Sequence, residues 1–235
     1  MKNISANSEA KQAAGVAAAA LVESGQIVGL GTGSTAAFTI EELGRRVRQD
    51  GLRITCVATS FQARHLAIKA GLTLTPLDLV SRVDISIDGA DEIDPDLNLI
   101  KGGGAAHTVE KLVHAMSERF IVVADPSKLV DRLGARFAVP VEVLSPAIAY
   151  VERRLRDMGV GDVQLRMATR KDGPVVTDNG NLVLDALFDF ASREPAELED
   201  RITLIPGVIA CGIFGHVRPH KGDCLIGAPE GLRRL

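Results

Sequence analysis

Four polar clusters stand out in a chain of 235 residues, and each is built from residue types that bind or move charge. The first is Gly31-Thr32-Gly33-Ser34-Thr35. Glycines let the backbone approach an anion, and the N–H groups that open a following helix point at it. The stretch is not a P-loop, which requires a lysine that is absent here. Nor is it a dinucleotide fingerprint, because Ser34 stands where the last glycine after Gly29 and Gly31 should be. A phosphate cradle and a plain strand-to-helix turn are both open readings.

The second cluster, Asp88-Gly89-Ala90-Asp91-Glu92, puts three carboxylates within five residues. Such a set suits a hard metal ion with oxygen ligands, acid–base work on a sugar hydroxyl or carbon acid, or simply a solvated Asp-Gly turn. In the third, Lys101 precedes Gly102, Gly103 and Gly104. A lysine there can neutralise an oxyanion while glycine N–H groups stabilise developing charge. Glu110 follows in the first turns of the next helix, where the positive helix end favours the ionised carboxylate. It reads as a base or as an ordinary first-turn acid. The fourth cluster runs from Asp125 to Lys128.

The elements that must carry these clusters alternate. Strands are expected at Gln26–Gly31, Arg53–Thr59, Val83–Asp88, Leu97–Lys101 and Phe120–Asp125. Helices are expected at 34–49, 60–70 and 105–119, and over the Ala-rich run before Gly25, with Ser8 as its cap. Strand–helix alternation at this spacing implies right-handed crossovers and a Rossmann-like, mostly parallel sheet with helices on both faces. Ligands of such sheets collect at the carboxyl ends of the strands, where all four clusters fall. From residue 139 the chain reads as a strand at 139–144, a helix at 146–158, mostly strand over 162–170, 175–177 and 182–185, a helix at 196–204 and a strand at 208–214, which suggests the order β-α-β-β-α-β. Asp178-Asn179-Gly180-Asn181 marks a hairpin, and the whole suggests a smaller ferredoxin-like α+β domain. The expected division is 1–138 with 215–235, where 223–227 returns to the main sheet, against 139–214.

Composition excludes several classes. Net charge is −3 and no basic stripe occurs, so nucleic acid is not an expected partner. The Ala-rich run is too short to span a bilayer, and no membrane partner is expected. Cys56, Cys211 and Cys224 are odd in number and lack a Cys-x-x-Cys pair, which favours reduced thiols in a cytoplasmic protein. His107 and His114 share a helix face and read as packing or surface residues. Anion-binding loops, carboxylates and a lysine, without a Ser-His-Asp set, suit proton transfer beside the carbonyl of a phosphorylated substrate. No redox cofactor is needed.

Gly31–Thr35, Thr59-Ser60-Phe61-Gln62-Ala63, Asp88–Glu92, Lys101–Ala105 with Thr108 and Glu110-Lys111, Ala124–Lys128 and Pro174–Asn181 together resemble the type A ribose-5-phosphate isomerases, in order and spacing. The resemblance covers most of the chain. It implies interconversion of ribose 5-phosphate and ribulose 5-phosphate without metal or cofactor, by a homodimer or tetramer. It implies that Glu110 moves the proton between C1 and C2, and that Asp88 and Asp91 assist furanose opening. Lys101 and Gly102–Gly104 would steady the enediolate. Thr32, Gly33, Ser34 and Thr35, with Gly89 and Ala90 beside them, would bind substrate, helped at its phosphate by Lys128 and Lys11. The segment His216–Lys221 departs from the family pattern. A sugar-phosphate-sensing module would need the cradle but no base, and Glu110 with Lys101 speaks against it.

Overall fold

The computed structural model describes residues 4–228 and 231–235. In chain order the first half contains α1 (Ile4–Ala19), β1 (Ile27–Leu30), α2 (Ser34–Gln49), β2 (Thr55–Ala58), α3 (Phe61–Lys69) and β3 (Val83–Asp88). It continues through β4 (Glu92–Ile93), β5 (Leu99–Ile100), α4 (His107–Ala115) and β6 (Ser117–Ala124). The second half contains β7 (Val139–Val143), α5 (Ile148–Asp157), β8 (Asp162–Leu165), β9 (Leu182–Leu187) and α6 (Pro195–Thr203). It ends with β10 (Val208–Cys211), β11 (Ile213–Phe214), β12 (Cys224–Ala228) and β13 (Gly231–Arg234).

The chain divides into two compact units. The first holds the residues up to Ala90, Val109–Lys128 and Pro219 onward; the second holds Asp91–Thr108 and Leu129–Arg218. The first unit is built on a six-stranded sheet of order β13-β12-β6-β3-β1-β2. All its pairings are parallel except β12 with β13. One face buries Val28, Leu30, Ile85, Ile87, Ile121, Val123 and Leu225 against Ala14, Ala18, Ile40, Leu43 and Ala63 of the helices. In α2 the buried positions Ala36, Thr39, Ile40, Leu43 and Gly44 recur at the spacing of one helix stripe. Between Val28 and Leu30 of β1 stands Gly29. A Cβ at Gly29 would lie 2.6 Å from Val113 Cγ1 and 2.8 Å from Ser86 Cβ, so its absence lets α4 settle onto the sheet.

The second unit contains an antiparallel sheet of order β10-β7-β9-β8 with α5 and α6, which is the ferredoxin-like arrangement. A smaller sheet, β11-β5-β4, accompanies it. Its core gathers Val139, Val141, Val143, Leu155, Leu184, Ala186 and Ile202.

Several elements differ from the sequence reading, each for a local reason. The first helix already runs at Ile4, so Ser8 is inside it rather than capping it. Helix α4 ends at Ala115, not 119, because Ser117 is already paired with Val83 and its hydroxyl donates to the Val113 carbonyl at 2.6 Å. The expected strand 208–214 breaks at Gly212, where a Cβ would lie 2.2 Å from the Lys101 carbonyl oxygen. Strand β13 was not foreseen; it exists through its pairing with β12.

Within 175–177 only Val176 pairs, as an isolated bridge to Leu182, and no strand forms. Their neighbours are recruited by a buried carboxylate instead. Glu142 of β7 is fully buried and accepts hydrogen bonds from Thr177 Oγ1 at 2.8 Å, Asn181 Nδ2 at 2.8 Å, Asn179 Nδ2 at 3.1 Å, and the Thr108 hydroxyl. Burial alone pushes this carboxyl up. The donors from Thr108, Asn181, Thr177 and Asn179 outweigh that and hold it below the usual glutamate range. A depressed folded value stabilises the protein above the unfolded value, about pH 4.3, and that stability is lost as pH falls through the folded value. Glu142→Gln is therefore expected to lower stability by about 1–3 kcal/mol near neutral pH. In chemical denaturation the gap from the parent should narrow below about pH 4; a gap that persists in acid would contradict this account.

Candidate active site

Three of the four sequence clusters follow β1, β3 and β6, which are adjacent parallel strands of the first unit. Asp88 ends β3 and is completely buried. Its Oδ1 accepts the backbone N–H of Thr32 at 2.9 Å and that of Gly89 at 2.7 Å. Its Oδ2 lies 3.1 Å from Nε2 of His114. Gly31 makes this possible, since a Cβ there would sit 2.2 Å from the Asp88 carboxyl carbon. This glycine thus clears room for the protein's own carboxylate rather than for a bound anion.

The loop after β1 is fixed by hydroxyls and an amide. Thr32 Oγ1 lies 2.7 Å from Ser60 Oγ and 2.9 Å from Thr59 Oγ1. Thr59 donates to the Leu30 carbonyl, and Ser60 caps α3 through the Ala63 N–H at 3.1 Å. The Gly33 N–H donates to Gln62 Oε1 at 3.0 Å, which explains why the 59–63 segment belongs with the 31–35 loop. Gly33 has φ +100 with nothing near its Cβ position, and no side chain caps α2. Ser34 is exposed, Thr32 half-buried and Thr35 buried. After β6, Asp125 Oδ1 accepts the Ser127 N–H at 2.9 Å, and its backbone carbonyl accepts that of Lys128. Lys11 of α1 stands 3.9 Å from Asp125. Lys128 is half-buried. Glu110 occupies the first turn of α4, 5% exposed, one turn before His114.

The second unit carries Asp91, Lys101 and the glycines. Asp91 Oδ2 accepts the Gly103 N–H at 2.8 Å. Lys101 is buried, with Nζ 5.6 Å from the centre of the Phe214 ring. Gly102 adopts φ +104, a conformation that suits glycine. Arg166 donates to the carbonyls of Gly102 at 2.8 Å and Gly103 at 3.1 Å, and is itself held by Asp185 at 2.8 Å. Sequence reading passes over Arg166 and takes His114 for a packing or surface residue. Both contact their loops across long sequence separations, and only the alternation of Ser86 and Asp88 on one face of β3 hinted at a polar partner.

Among the described residues no group of three or more His, Cys, Asp or Glu side chains is placed to hold a metal ion. Nor is any described helix long and apolar enough to cross a membrane. Cys56, Cys211 and Cys224 are buried thiols. Burial pushes Cys56 and Cys224 up to about 12, far from a reactive thiolate.

Residues 55–231 match the family of ribose 5-phosphate isomerase A (phosphoriboisomerase A). The chain belongs to that family. Ribose-5-phosphate isomerase A of Thermosynechococcus vestitus is 56% identical over 223 residues, 94% of each chain. That of Methanosarcina acetivorans is 54% identical over 234 residues, covering 100% of this chain and 97% of the relative. The solved ribose 5-phosphate isomerase A of Methanocaldococcus jannaschii superposes with a TM-score of 0.92 at 43% identity, over 97% of this chain and 99% of that one. A D-ribose-5-phosphate isomerase in complex with phospho-erythronic acid superposes with a TM-score of 0.91 at 41% identity, over 97% of both chains. Like those relatives, the protein is an isomerase.

Because Gly31 sets the position of the Asp88 carboxylate, Gly31→Ala is expected to lower isomerase kcat/KM by roughly tenfold or more with the circular dichroism spectrum retained. Parent-like kcat/KM would show that residue 31 does not constrain the site.

Proposed function

We propose that the chain interconverts D-ribose 5-phosphate and D-ribulose 5-phosphate by moving a proton between C1 and C2 through an enediol(ate). The observation that carries the reading is the buried Asp88 carboxylate, fixed by donors at the end of β3 between the loops that follow β1 and β6. A family relative held with phospho-erythronic acid supports the same class of ligand, a phosphorylated sugar-like chain.

Each role follows from the group's chemistry. Asp88 and Asp91 exchange protons with the C1 hydroxyl and the ring oxygen as the C1–O4 bond breaks, which yields the open aldehyde. Glu110 removes the proton from C2 and returns it to C1, while the proton on O2 passes to O1. Its place in the first turn of α4 favours the carboxylate form that a base requires. Lys101 and the N–H groups of Gly102–Gly104 stabilise negative charge on O1 and O2. The N–H groups opening α2, with Thr32, Gly33, Ser34, Thr35 and the backbone of Gly89 and Ala90, hold the substrate. Lys128 and Lys11 add positive charge for its phosphate. The scheme uses neither a metal nor a redox cofactor, because ring opening and the proton transfers that follow leave the sugar with no net oxidation and are served by the side chains named. The same reading takes the enzyme to act in the cytoplasm, within pentose phosphate metabolism, as a homodimer or tetramer, a point that light scattering on the purified protein decides.

The test is a coupled assay of ribose 5-phosphate conversion in EDTA, with Glu110→Gln beside the parent. Turnover in the parent should survive the chelator. It should fall by roughly a hundredfold or more in the variant, whose amide cannot accept a proton, with KM little changed. Near-parent turnover by Glu110→Gln would remove Glu110 as the base.

A further inference from the structure

We infer that His114 is a positioning residue for Asp88, acting through a buried Ser86–His114–Asp88 chain. The inference rests on the proposed role of Asp88 in proton exchange. Ser86 and Asp88 alternate on the face of β3 turned toward α4, and both are fully buried. His114 Nδ1 lies 2.9 Å from Ser86 Oγ, and Nε2 lies 3.1 Å from Asp88 Oδ2. The imidazole stacks on Phe120, with ring centres 3.8 Å apart and planes inclined by 12°. Its side chain has no exposure to solvent.

The chemistry of these contacts fixes the direction of the chain. An ionised carboxylate has no hydrogen to give, so Nε2 carries the hydrogen that joins it to Asp88. In the neutral imidazole Nδ1 then accepts the Ser86 hydroxyl hydrogen, which selects that tautomer. Oδ1 of Asp88 already takes the N–H groups of Thr32 and Gly89. His114 therefore secures the second oxygen, locks the plane of the carboxylate and favours its ionised form. Ser86 is not a nucleophile in this arrangement, because it is enclosed. Asp88 and Ser86 from β3 and the Phe120 ring from β6 face His114. Glu110 stands one turn earlier on α4, and Arg119 of β6 is turned to Asp223 at 3.0 Å. Gly29 of β1 contributes only the clearance that lets α4 approach.

The experiment compares His114→Gln, which keeps an N–H donor, with His114→Met, which fills the space without one, by steady-state kinetics against pH. Asp88→Asn serves as the reference. His114→Met should lose roughly tenfold in kcat with KM within about threefold, the expected effect of removing one hydrogen bond to a charged group. The acid limb of its kcat/KM profile should move to higher pH, because an unsupported carboxylate is easier to protonate. His114→Gln should recover most of both. Ser86→Ala, which frees the tautomer, should shift the limb in the same direction by less, and it carries the test if His114→Met does not fold. Equal kcat and equal acid limbs for the Met and Gln variants, or a parent-like Ser86→Ala in that second case, would overturn the inference while Asp88→Asn stays inactive. Parent-like turnover by Asp88→Asn would instead remove the role of Asp88 on which it rests.

Discussion

A carboxylate sealed from water at the end of an apolar strand must find hydrogen-bond donors or lose its charge, and much of the first unit meets that demand for Asp88. The loop after β1 turns so that the Thr32 N–H reaches Oδ1, and the chain after β3 turns so that the Gly89 N–H does too. Helix α4 brings His114 to Oδ2. Glycines at 29 and 31 are what the two close approaches require: one for the helix, one for the carboxylate itself. The Gly-x-Gly pattern, which read alone leaves a phosphate cradle and a plain turn open, is here a consequence of side chains facing it from β3 and α4.

The second unit solves its loops by the same device. Glu92 accepts the N–H groups of Gly134, Arg136 and Phe137. Glu199 accepts those of Gly215 and His216, and Glu142 gathers two threonines and two asparagines. Arg166 plays the converse part, a cation spanning the carbonyls of Gly102 and Gly103. With only 3% aromatic residues, the apolar cores rest on Val, Leu, Ile and Ala. Buried ions hold the irregular backbone that such cores leave unfixed.

What the sequence makes legible is what is local. The helix 34–49 and the strand 83–88 are set by their own periodicity and end where expected. The βαββαβ order and the placement of clusters after β1, β3 and β6 follow from alternation. What is not legible depends on contacts far along the chain. Ser117 joins a strand because Val83 receives it, and 175–177 leaves the ladder because Glu142 draws Thr177, Asn179 and Asn181 away. His114 reads as a packing residue until β3 presents Ser86 and Asp88 to it. The anion-binding and acid–base character of the clusters, with Lys101 against an oxyanion, follows from residue types, whereas the choice of Glu110 as the base and the part of Asp88 and Asp91 in ring opening come from family resemblance.

The central claim is that a carboxylate carries a proton between adjacent carbons, and isotope exchange addresses it most directly. Ribose 5-phosphate would be held with the enzyme in D2O through many turnovers and followed by proton NMR. The account predicts progressive replacement of the C2 hydrogen by deuterium, because a proton resting on a carboxylate exchanges with solvent during some fraction of turnovers. Full isomerisation with the C2 hydrogen retained throughout would mean that hydrogen moves directly between the carbons, and would contradict it.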